Sequence, residues 1–505
     1  MVESLKNDPV PDLDAFRLRR FVERMIEEDE VEVIEEPVDL VDIAARMDGN
    51  EKAVLFRNAG PEQAELIGSM TGGRRRMAKA FGVSADDLLS EVNRRLEVPQ
   101  EVVELESADA PVHQVIVTGD DVDLTALPLH LQHEMDGAPY ISASLDYVVN
   151  PETGWTNTGA RRLMLRGSGE TGIDLAAPSD LKAIYEKCVA KGETLPIAFT
   201  VGAHPCDHVA AVMRLPVDEL TLTARLRGAT LPVVKCVTND ILVPADAEYV
   251  IEGYLDEHGH IEQEGPYGEF LGYYGAMRRN PVFHATAITR RRDAMFQTST
   301  ISGRHIGRTD TTQLNAIRAE VTVWRALQTA VREPVGVNIT TSSGGNFNVR
   351  ISLRQRMPGE ARNAIAAVMA SLANSKHVFI VDPDIDIFDD EQMDWALATR
   401  FQADRDLVVE SGFRTLPLDP SLGGKRTGAK AGFDLTLPLG ERPLAHTVPT
   451  SGVSGSQTHQ SVEEVLAEGP RSFGAIVAAV GSRDGREVVR DLEVLRTDGR
   501  LDRVG

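Results

Sequence analysis

Two glutamates in the segment EGPYGE have the residue type and spacing for acid–base chemistry. Glu264 and Glu269 flank Gly265, Pro266 and Gly268, a composition typical of a tight turn. Such a turn can point both carboxyl groups into one cavity, where two close carboxylates cannot both ionise cheaply and one pKa rises. The product is a carboxylic acid that donates a proton near neutral pH. A solvated surface turn carrying two acids is the alternative explanation.

The segment TNTGAR offers groups for holding a cation and a carboxylate. Asn157 supplies a hard oxygen for a divalent cation, and Arg162 a planar fork for a carboxylate. Residues five apart face opposite sides of a regular strand, so both can line one site only if the strand is irregular. Gly159 permits a bulge that would turn both inward. The alternative explanation is that Asn157 and Arg162 are polar residues on the solvent-exposed face of a strand.

A third candidate, Glu219, lies on a predicted helix beside an apolar stripe, where an exposed helical glutamate is the alternative. Zinc is suggested by His130, His133 and Glu134, but a zincin needs His-Glu-x-x-His on a helix and position 137 is Gly. We therefore interpret these histidines as loop or interface residues. The aspartates between positions 382 and 386 lack the Gly and Glu that a calcium loop needs further on.

Composition and charge exclude several classes of protein. The 505 residues carry 53 Lys and Arg against 77 Asp and Glu, a formal net charge of −24, which argues against nucleic acids and anionic membrane surfaces as partners. Cys188, Cys206 and Cys236 are too few for a disulfide framework and share no metal-ligand spacing. The sequence has no signal-peptide pattern and no apolar run of the roughly 20 residues that a membrane span needs. We expect a cytoplasmic protein.

The elements that must position these residues fall into three predicted domains. Residues 1–110 alternate short helices and short apolar runs, typical of a small α/β domain that begins with an apolar helical stripe between positions 18 and 26. Residues 111–310 are rich in strands, including a hairpin around NPETG, and predict a barrel. Residues 311–505 predict a linker helix, an α/β domain and a tail with a helix near 462–467 and a strand near 475–480.

A set of motifs in this order identifies a resemblance. The stretches are TNTGAR, PVDELTLTARLRG, VVKCVTNDILVPADAEYVIEGY, EGPYGEFLGYY, VDPDIDIFDDEQMDWALATR and GAKAGFD. Together they resemble the UbiD family of prenylated-flavin (prFMN) decarboxylases, from about residue 15 to the end. The resemblance implies a mixed α+β fold, in which a central split β-barrel (flavin-reductase-like) lies between an N-terminal α/β domain and a C-terminal α/β oligomerisation domain.

The resemblance also assigns roles. The family's catalytic Glu-Arg-Glu set falls on Glu264, Arg162 and Glu269. Its metal ligands, which tie the flavin phosphate to a divalent ion, usually Mn²⁺, fall on Asn157 and Glu219, and a K⁺ site is usual. The resemblance further implies flavin contacts along the backbone of Ala160, Arg161 and Arg162 and a phosphate contact from Lys430.

One departure concerns the third metal ligand. Some members use a histidine some twenty residues after the Asn, but this chain has no His between Asn157 and His204. Ser179 and Asp180 lie nearest to the expected place, and the sequence does not decide between them.

The resemblance implies a reversible prFMN-dependent decarboxylase for an aromatic, heteroaromatic or α,β-unsaturated carboxylic acid, with phenazine, phenolic and pyrrole acids as candidates. It implies a flavin prenyltransferase as cofactor supplier and a homodimer or higher homo-oligomer. We expect the segment 302–312, with His305, to reach the substrate. Two alternatives are a flavin oxidoreductase on a split barrel, for which we find no nicotinamide site, and a non-catalytic assembly subunit, against which the intact Glu264, Arg162 and Glu269 set argues.

Overall fold

The computed structural model describes residues 12–440, 449 and 451–502. The chain forms two compact units, one ending at Leu439 and one beginning at Gly440. The first unit contains the barrel and every candidate site residue. No helix among the described residues is both long and apolar enough to cross a bilayer.

The N-terminal part packs helices on a four-stranded sheet. Its first helix is the amphipathic one that the sequence predicts: Leu18, Phe21, Val22 and Met25 are buried on one face. The first three strands of the sheet are neighbours in sequence, and a strand that follows the barrel, Phe296–Thr298, completes it as the fourth. The elements are α1 (Leu18–Glu27), β1 (Val31–Ile34), α2 (Ile43–Met47), β2 (Ala53–Ala59), β3 (Ala64–Gly68), α3 (Arg74–Ala80) and α4 (Leu88–Leu96).

The middle part is a closed, six-stranded antiparallel barrel, as the β-rich pattern predicts. Its strands pair in the order β12-β9-β6-β7-β8-β17, and β17 pairs back onto β12. The NPETG segment forms the predicted hairpin between β6 and β7, with Gly154 at φ 72° in the turn. The strands up to β9 are β4 (Val102–Leu105), β5 (Val115–Thr118), β6 (Tyr140–Val149), β7 (Thr156–Leu165), β8 (Glu170–Ile173) and β9 (Leu195–Val201).

Helices and two short ribbons surround the barrel. Glu219 opens a helix whose N-cap, Asp218, accepts hydrogen bonds from the backbone N–H groups of Leu220 and Thr221. The ribbons β13–β16 and β14–β15 carry Glu264 and Glu269. The elements are α5 (Asp180–Lys191), α6 (Pro205–Val212), α7 (Glu219–Arg227), β10 (Leu231–Lys235), β11 (Leu242–Pro244), β12 (Tyr249–Leu255), β13 (Glu262–Glu264), β14 (Tyr267–Glu269), β15 (Tyr273–Gly275), β16 (Arg278–Asn280), β17 (Val282–Arg290) and β18 (Phe296–Thr298).

A long helix leads from the barrel into a five-stranded α/β sheet of order β19-β20-β21-β23-β22. This confirms the predicted alternation of helices and strands. The elements are α8 (Asp310–Ala330), β19 (Pro334–Ile339), β20 (Asn348–Leu353), α9 (Glu360–Ala370), β21 (His377–Val381), α10 (Asp390–Arg400), α11 (Ala403–Asp406), β22 (Leu407–Arg414) and β23 (Thr427–Asp434).

The second unit is a small cluster of helices with its own apolar core, in which Val465, Ile476 and Val488 are buried. The predicted helix near 462–467 is present. The predicted strand near 475–480 is wrong, because this segment lies in a helix; the short apolar run AIVAAV has no periodicity that separates the two. The helices are α12 (Val462–Ala467), α13 (Phe473–Ala479) and α14 (Arg486–Thr497).

Candidate active site

Arg162 lies between three carboxylates. Its Nε donates to Glu264 Oε1 at 3.1 Å, its Nη1 lies 3.2 Å from Glu269 Oε1, and its Nη2 lies 3.1 Å from Asp174 Oδ2. The structure thus brings together the three residues that the family resemblance assigns to catalysis. It adds Asp174, just after β8, which the sequence did not single out.

The irregularity that aims Arg162 inward lies in the neighbouring strand. The pairing of β6 with β7 slips between Ile141 and Ser144, opposite Arg162. The bulge predicted at Gly159 is therefore wrong: Gly159 pairs regularly with Asp146. Glycine at this position allows the Asp146 side chain to lie close to the backbone, since a Cβ there would lie 2.9 Å from Asp146 Oδ1.

Two further buried residues hold this group in place. The ring of Tyr267 lies 4.3 Å from Arg162 Cζ, a cation–π contact, and its hydroxyl donates to Gln132 Oε1 at 2.7 Å. Asn280 Nδ2 donates to Glu264 Oε2 at 3.3 Å. Neither contact is visible in local spacing, because each joins residues from different elements.

The electrostatics give Glu269 the character of an acid. Burial raises the pKa of Glu269, and the carboxylates of Asp174 and Glu264 raise it further, although Arg162 opposes them. Burial lowers the pKa of Arg162, but the three carboxylates outweigh it, so the guanidinium stays charged. The group therefore combines a fixed cation that can bind a carboxylate with a carboxyl group able to donate a proton.

Asn157 and Glu219 also come together. Asn157 Nδ2 donates to Glu219 Oε2 at 3.0 Å, and the backbone N–H of Thr158 donates to the same oxygen. Burial raises the pKa of Glu219 to about 8, against the hydrogen bond from Thr158, and the carboxylates of Asp146 and Asp180 add to the rise. A buried carboxylate among other acids lacks a compensating positive charge, which a bound cation would supply.

The oxygen donors at this point fit a hard divalent cation. Ser179 is used as the N-cap of α5, where its Oγ accepts from Lys182 N at 3.2 Å. Asp180 opens the same helix, and its charge adds to the rise in the pKa of Glu219. No cluster of three or more His, Cys, Asp or Glu side chains able to hold a metal occurs within the described part of the chain.

The remaining predicted flavin contacts are Ala160, Arg161 and Lys430. Arg161 Nε lies 3.2 Å from Asp146 Oδ1, and Ala160 next to it is exposed. Lys430 lies on β23, where its Nζ donates to Met369 O at 2.6 Å and burial lowers its pKa to about 8. In the described structure, Lys430 makes no hydrogen bond to the other candidate residues.

A cavity of about 350 Å³ is lined by Gln132, whose Oε1 accepts a hydrogen bond from the Tyr267 hydroxyl. His305 lines it, as do several neighbours of His305 in the predicted substrate segment. His133 lines it too, and its ring is held by Asp136, whose Oδ2 lies 3.1 Å from His133 Nδ1. Glu269 ends β14, and the backbone of Gly268 next to it packs against the His133 ring.

Comparison with known proteins covers most of the chain. Three models of the 3-octaprenyl-4-hydroxybenzoate carboxy-lyase family match in order: the N-terminal domain at residues 22–96, the Rift-related domain at 103–305 and the C-terminal domain at 312–435. An anhydromevalonate phosphate decarboxylase of Methanosarcina mazei is 32% identical over 431 residues, covering 84% of this chain and 97% of its own length.

Solved structures agree with these matches. The UbiD-class enzyme HmfF from Pelotomaculum thermopropionicum, in complex with FMN, has a TM-score of 0.79 and 32% identity over 86% of this chain and 97% of its own. An evolved dimeric form of it, in complex with prFMN, has a TM-score of 0.76 and 30% identity over the same shares, 86% and 97%. The 3,4-dihydroxybenzoic acid decarboxylase AroY of Klebsiella pneumoniae has a TM-score of 0.77 and 26% identity, covering 87% of this chain and 98% of its own.

Proposed function

Because the chain belongs to the UbiD family of carboxy-lyases, we propose that it removes carbon dioxide from a conjugated carboxylic acid with prenylated FMN as its cofactor. The observation that carries this proposal is Arg162 held between Glu264 and Glu269, one of which has a raised pKa. A dimeric relative supports a homo-oligomer, and a flavin prenyltransferase would supply the cofactor. The acidic, cysteine-poor sequence is consistent with a cytoplasmic enzyme.

The substrate is a conjugated acid in the broad sense. AroY acts on 3,4-dihydroxybenzoic acid, which is aromatic, whereas the Methanosarcina relative is named for anhydromevalonate phosphate, which is not. Both types have a carboxylate that an arginine can bind. The proposal therefore includes aromatic, heteroaromatic and α,β-unsaturated acids, with phenazine, phenolic and pyrrole acids among them.

Each residue of the Arg162 group has a task in this reaction. Arg162 binds the substrate carboxylate and orients it for loss of carbon dioxide, while Glu264 holds the guanidinium in place. Prenylated FMN, when bound, supplies the electron sink for the carbon that loses its carboxylate, which no side chain here offers. Burial raises the pKa of Glu269, which suits this side chain to donate the proton that replaces the carboxyl group. Each turnover thus converts a carboxylate and a proton into carbon dioxide and the protonated product.

A divalent cation, Mn²⁺ in the family, would be held by the oxygens of Asn157 and Glu219, with Asp180 as a candidate for the third oxygen. The positive charge of the cation would neutralise the buried acids and would attract a flavin phosphate to this side of the barrel. The family resemblance also implies a K⁺, to which no residue of this chain is assigned.

The test is the full chain co-expressed with a flavin prenyltransferase. The purified protein should show a modified-flavin spectrum and release carbon dioxide from at least one acid in a panel that includes 3,4-dihydroxybenzoate, phenazine and pyrrole acids and a phosphorylated unsaturated acid. Arg162→Gln should keep the spectrum and lose the release. Flavin-loaded protein that neither releases carbon dioxide nor exchanges a product hydrogen for deuterium would refute the proposal.

A further inference from the structure

Residues 132–137 form a segment before β6 that is bonded to the ribbon of β14 and β15. Four hydrogen bonds join the two parts: the Tyr267 hydroxyl donates to Gln132 Oε1 at 2.7 Å, Met135 N to the Tyr274 hydroxyl at 3.1 Å, Gly268 N to Asp136 Oδ1 at 2.9 Å, and Gly137 N to Pro266 O at 2.9 Å. Three of these bonds hold the three residues directly before Glu269. The 132–137 segment therefore fixes the strand that carries this carboxyl group.

Asp136 uses both of its carboxylate oxygens in this contact. Its side chain is buried; Oδ1 accepts from Gly268 N, while Oδ2 accepts from His133 N at 3.0 Å and lies 3.1 Å from His133 Nδ1. Hydrogen bonds to a carboxylate are stronger than those between neutral groups, and breaking one in the interior leaves a buried group unpaired. Asp136 thus ties the strand at Gly268 and the ring of His133 to one carboxylate.

Two glycines let the 132–137 segment and the strand approach closely. A Cβ at Gly137 would overlap the carbonyl oxygen of Gly265, and a Cβ at Gly268 would overlap the ring of His133. Contacts this close leave little room for one side to shift without the other. A change in the segment is therefore passed on to β14.

The strand passes this restraint to the candidate acid. Glu269 follows Gly268 directly on β14, and its Oε1 lies 3.2 Å from Arg162 Nη1. Among the described residues, Asp136 makes no hydrogen bond to the Arg162 group itself. Its influence on that group therefore runs through the backbone of β14.

We propose that Asp136 is a positioning residue, which sets the distance between the Glu269 carboxyl group and Arg162. This role rests on the proposed function, in which Glu269 donates a proton to the product. A donor must lie within hydrogen-bonding reach of the atom that it protonates, and a displacement of about 1 Å costs roughly 100-fold in rate. A carboxylate that anchors the preceding residue of the strand controls this distance without touching the substrate.

Displacement of Glu269 would also change its acidity. Burial raises the pKa of this carboxyl group, and among the charges around it Arg162 has the largest effect and lowers the pKa. Asp174 and Glu264 raise the pKa, and Arg278 lowers it. A weaker contact with Arg162 should therefore raise the pKa of Glu269. This shift separates a displaced acid from a general loss of stability.

The experiment compares Asp136→Asn with Glu134→Gln in the full chain. Asparagine has nearly the size of aspartate, but its amide nitrogen is a donor and would face an N–H group of Gly268 or His133. Flavin-loaded Asp136→Asn should lose about tenfold or more in kcat, measured by carbon dioxide release. Glu134→Gln is the matched control, since Glu134 is an exposed acid of the same segment, and this variant should equal the wild type.

Two measurements follow the acid itself. In Asp136→Asn, the fall of activity with rising pH should occur at a higher pH than in the wild type. In the cofactor-free protein, infrared difference spectra should show the same shift for the carboxyl band that Glu269→Gln removes. A purely structural role would lower the unfolding temperature and leave both titrations at the wild-type pH, and this result would overturn the proposal.

Tyr274→Phe keeps the test open if Asp136→Asn does not fold. Tyr274 is exposed, and its variant loses one hydrogen bond, from Met135 N, so the infrared titration should shift in the same direction by a smaller amount. An unshifted titration in the folded variant would overturn the proposal. A flavin-loaded wild type that decarboxylates no acid would refute the proposed function, and the infrared shift would then decide on Asp136 alone.

Discussion

Replacing Gly268 by alanine tests how β14 places Glu269. A Cβ at position 268 would lie 2.4 Å from His133 Nδ1 and 2.8 Å from two other atoms of that ring. The backbone at 268 is not in the left-handed region, so alanine introduces a clash without a backbone penalty. The substitution therefore places a methyl group in steric conflict with the imidazole ring of His133.

The magnitude follows from how firmly both sides are held. The added carbon is about 1 Å inside ordinary van der Waals contact. Asp136 ties both partners: its Oδ2 lies 3.1 Å from His133 Nδ1 and its Oδ1 accepts from Gly268 N at 2.9 Å. Neither can retreat without straining one of these bonds, and overpacking of this kind costs about 1–3 kcal/mol. If the strand yields, Glu269 moves with it, and a displacement of about 1 Å costs roughly 100-fold in rate.

The assay is thermal unfolding together with carbon dioxide release by the flavin-loaded enzyme. Gly268→Ala should lower both, whereas the control Gly169→Ala should lower neither, because a Cβ at Gly169 meets nothing within 4 Å. The double variant His133→Ala/Gly268→Ala should recover stability relative to Gly268→Ala, since the ring that clashes is gone. This account of β14 would be refuted if Gly268→Ala had the same unfolding temperature and activity as Gly169→Ala. It would also be refuted if the double variant unfolded at the same temperature as Gly268→Ala.

The remaining predictions concern the acid and the metal. Glu269→Gln should bind FMN but lose about 10²- to 10⁴-fold in kcat, measured by carbon dioxide release, while Glu262→Gln on the exposed neighbouring strand should not; full activity of Glu269→Gln rejects it as the acid. Because burial raises the pKa of Glu269, activity should fall as pH rises through that pKa, and Asp174→Asn, which removes a charge that raises it, should move the fall to lower pH; an unmoved pH–rate profile contradicts this. Asn157→Ala, like chelator treatment of the wild type, should lose flavin absorbance on desalting, and full retention would remove Asn157 from the metal site.

Local pattern was sufficient where a few adjacent residues decide the outcome. The first helix follows from an apolar stripe at helical spacing, and the hairpin at NPETG from its Asn-Pro and Gly. The strand predicted near 475–480 is wrong because a run of six apolar residues fits a strand and a helix equally well. The segment forms α13, whose apolar side chains pack into the core of the second unit. The sequence of a short apolar run therefore does not determine its secondary structure when a helix and a strand would both bury it.

The site needed information that one segment does not contain. Spacing alone did not separate an acid–base pair from a surface turn at Glu264 and Glu269, and only the family resemblance assigned Arg162 to the same set. Asp174 and Tyr267 were missed because they reach Arg162 from other elements. The bulge was predicted at Gly159 because that glycine is visible in the sequence, whereas the slip lies in the partner strand, where no glycine marks it.

The three carboxylates around Arg162 determine how a substrate can enter. An incoming carboxylate meets a guanidinium most of whose donors are already used. A fourth negative charge at this point is repelled more strongly when all three acids are ionised, and burial raises the pKa of Glu269. We therefore expect substrate affinity to fall as pH rises through the pKa of Glu269, because the ionised carboxylate repels the incoming one.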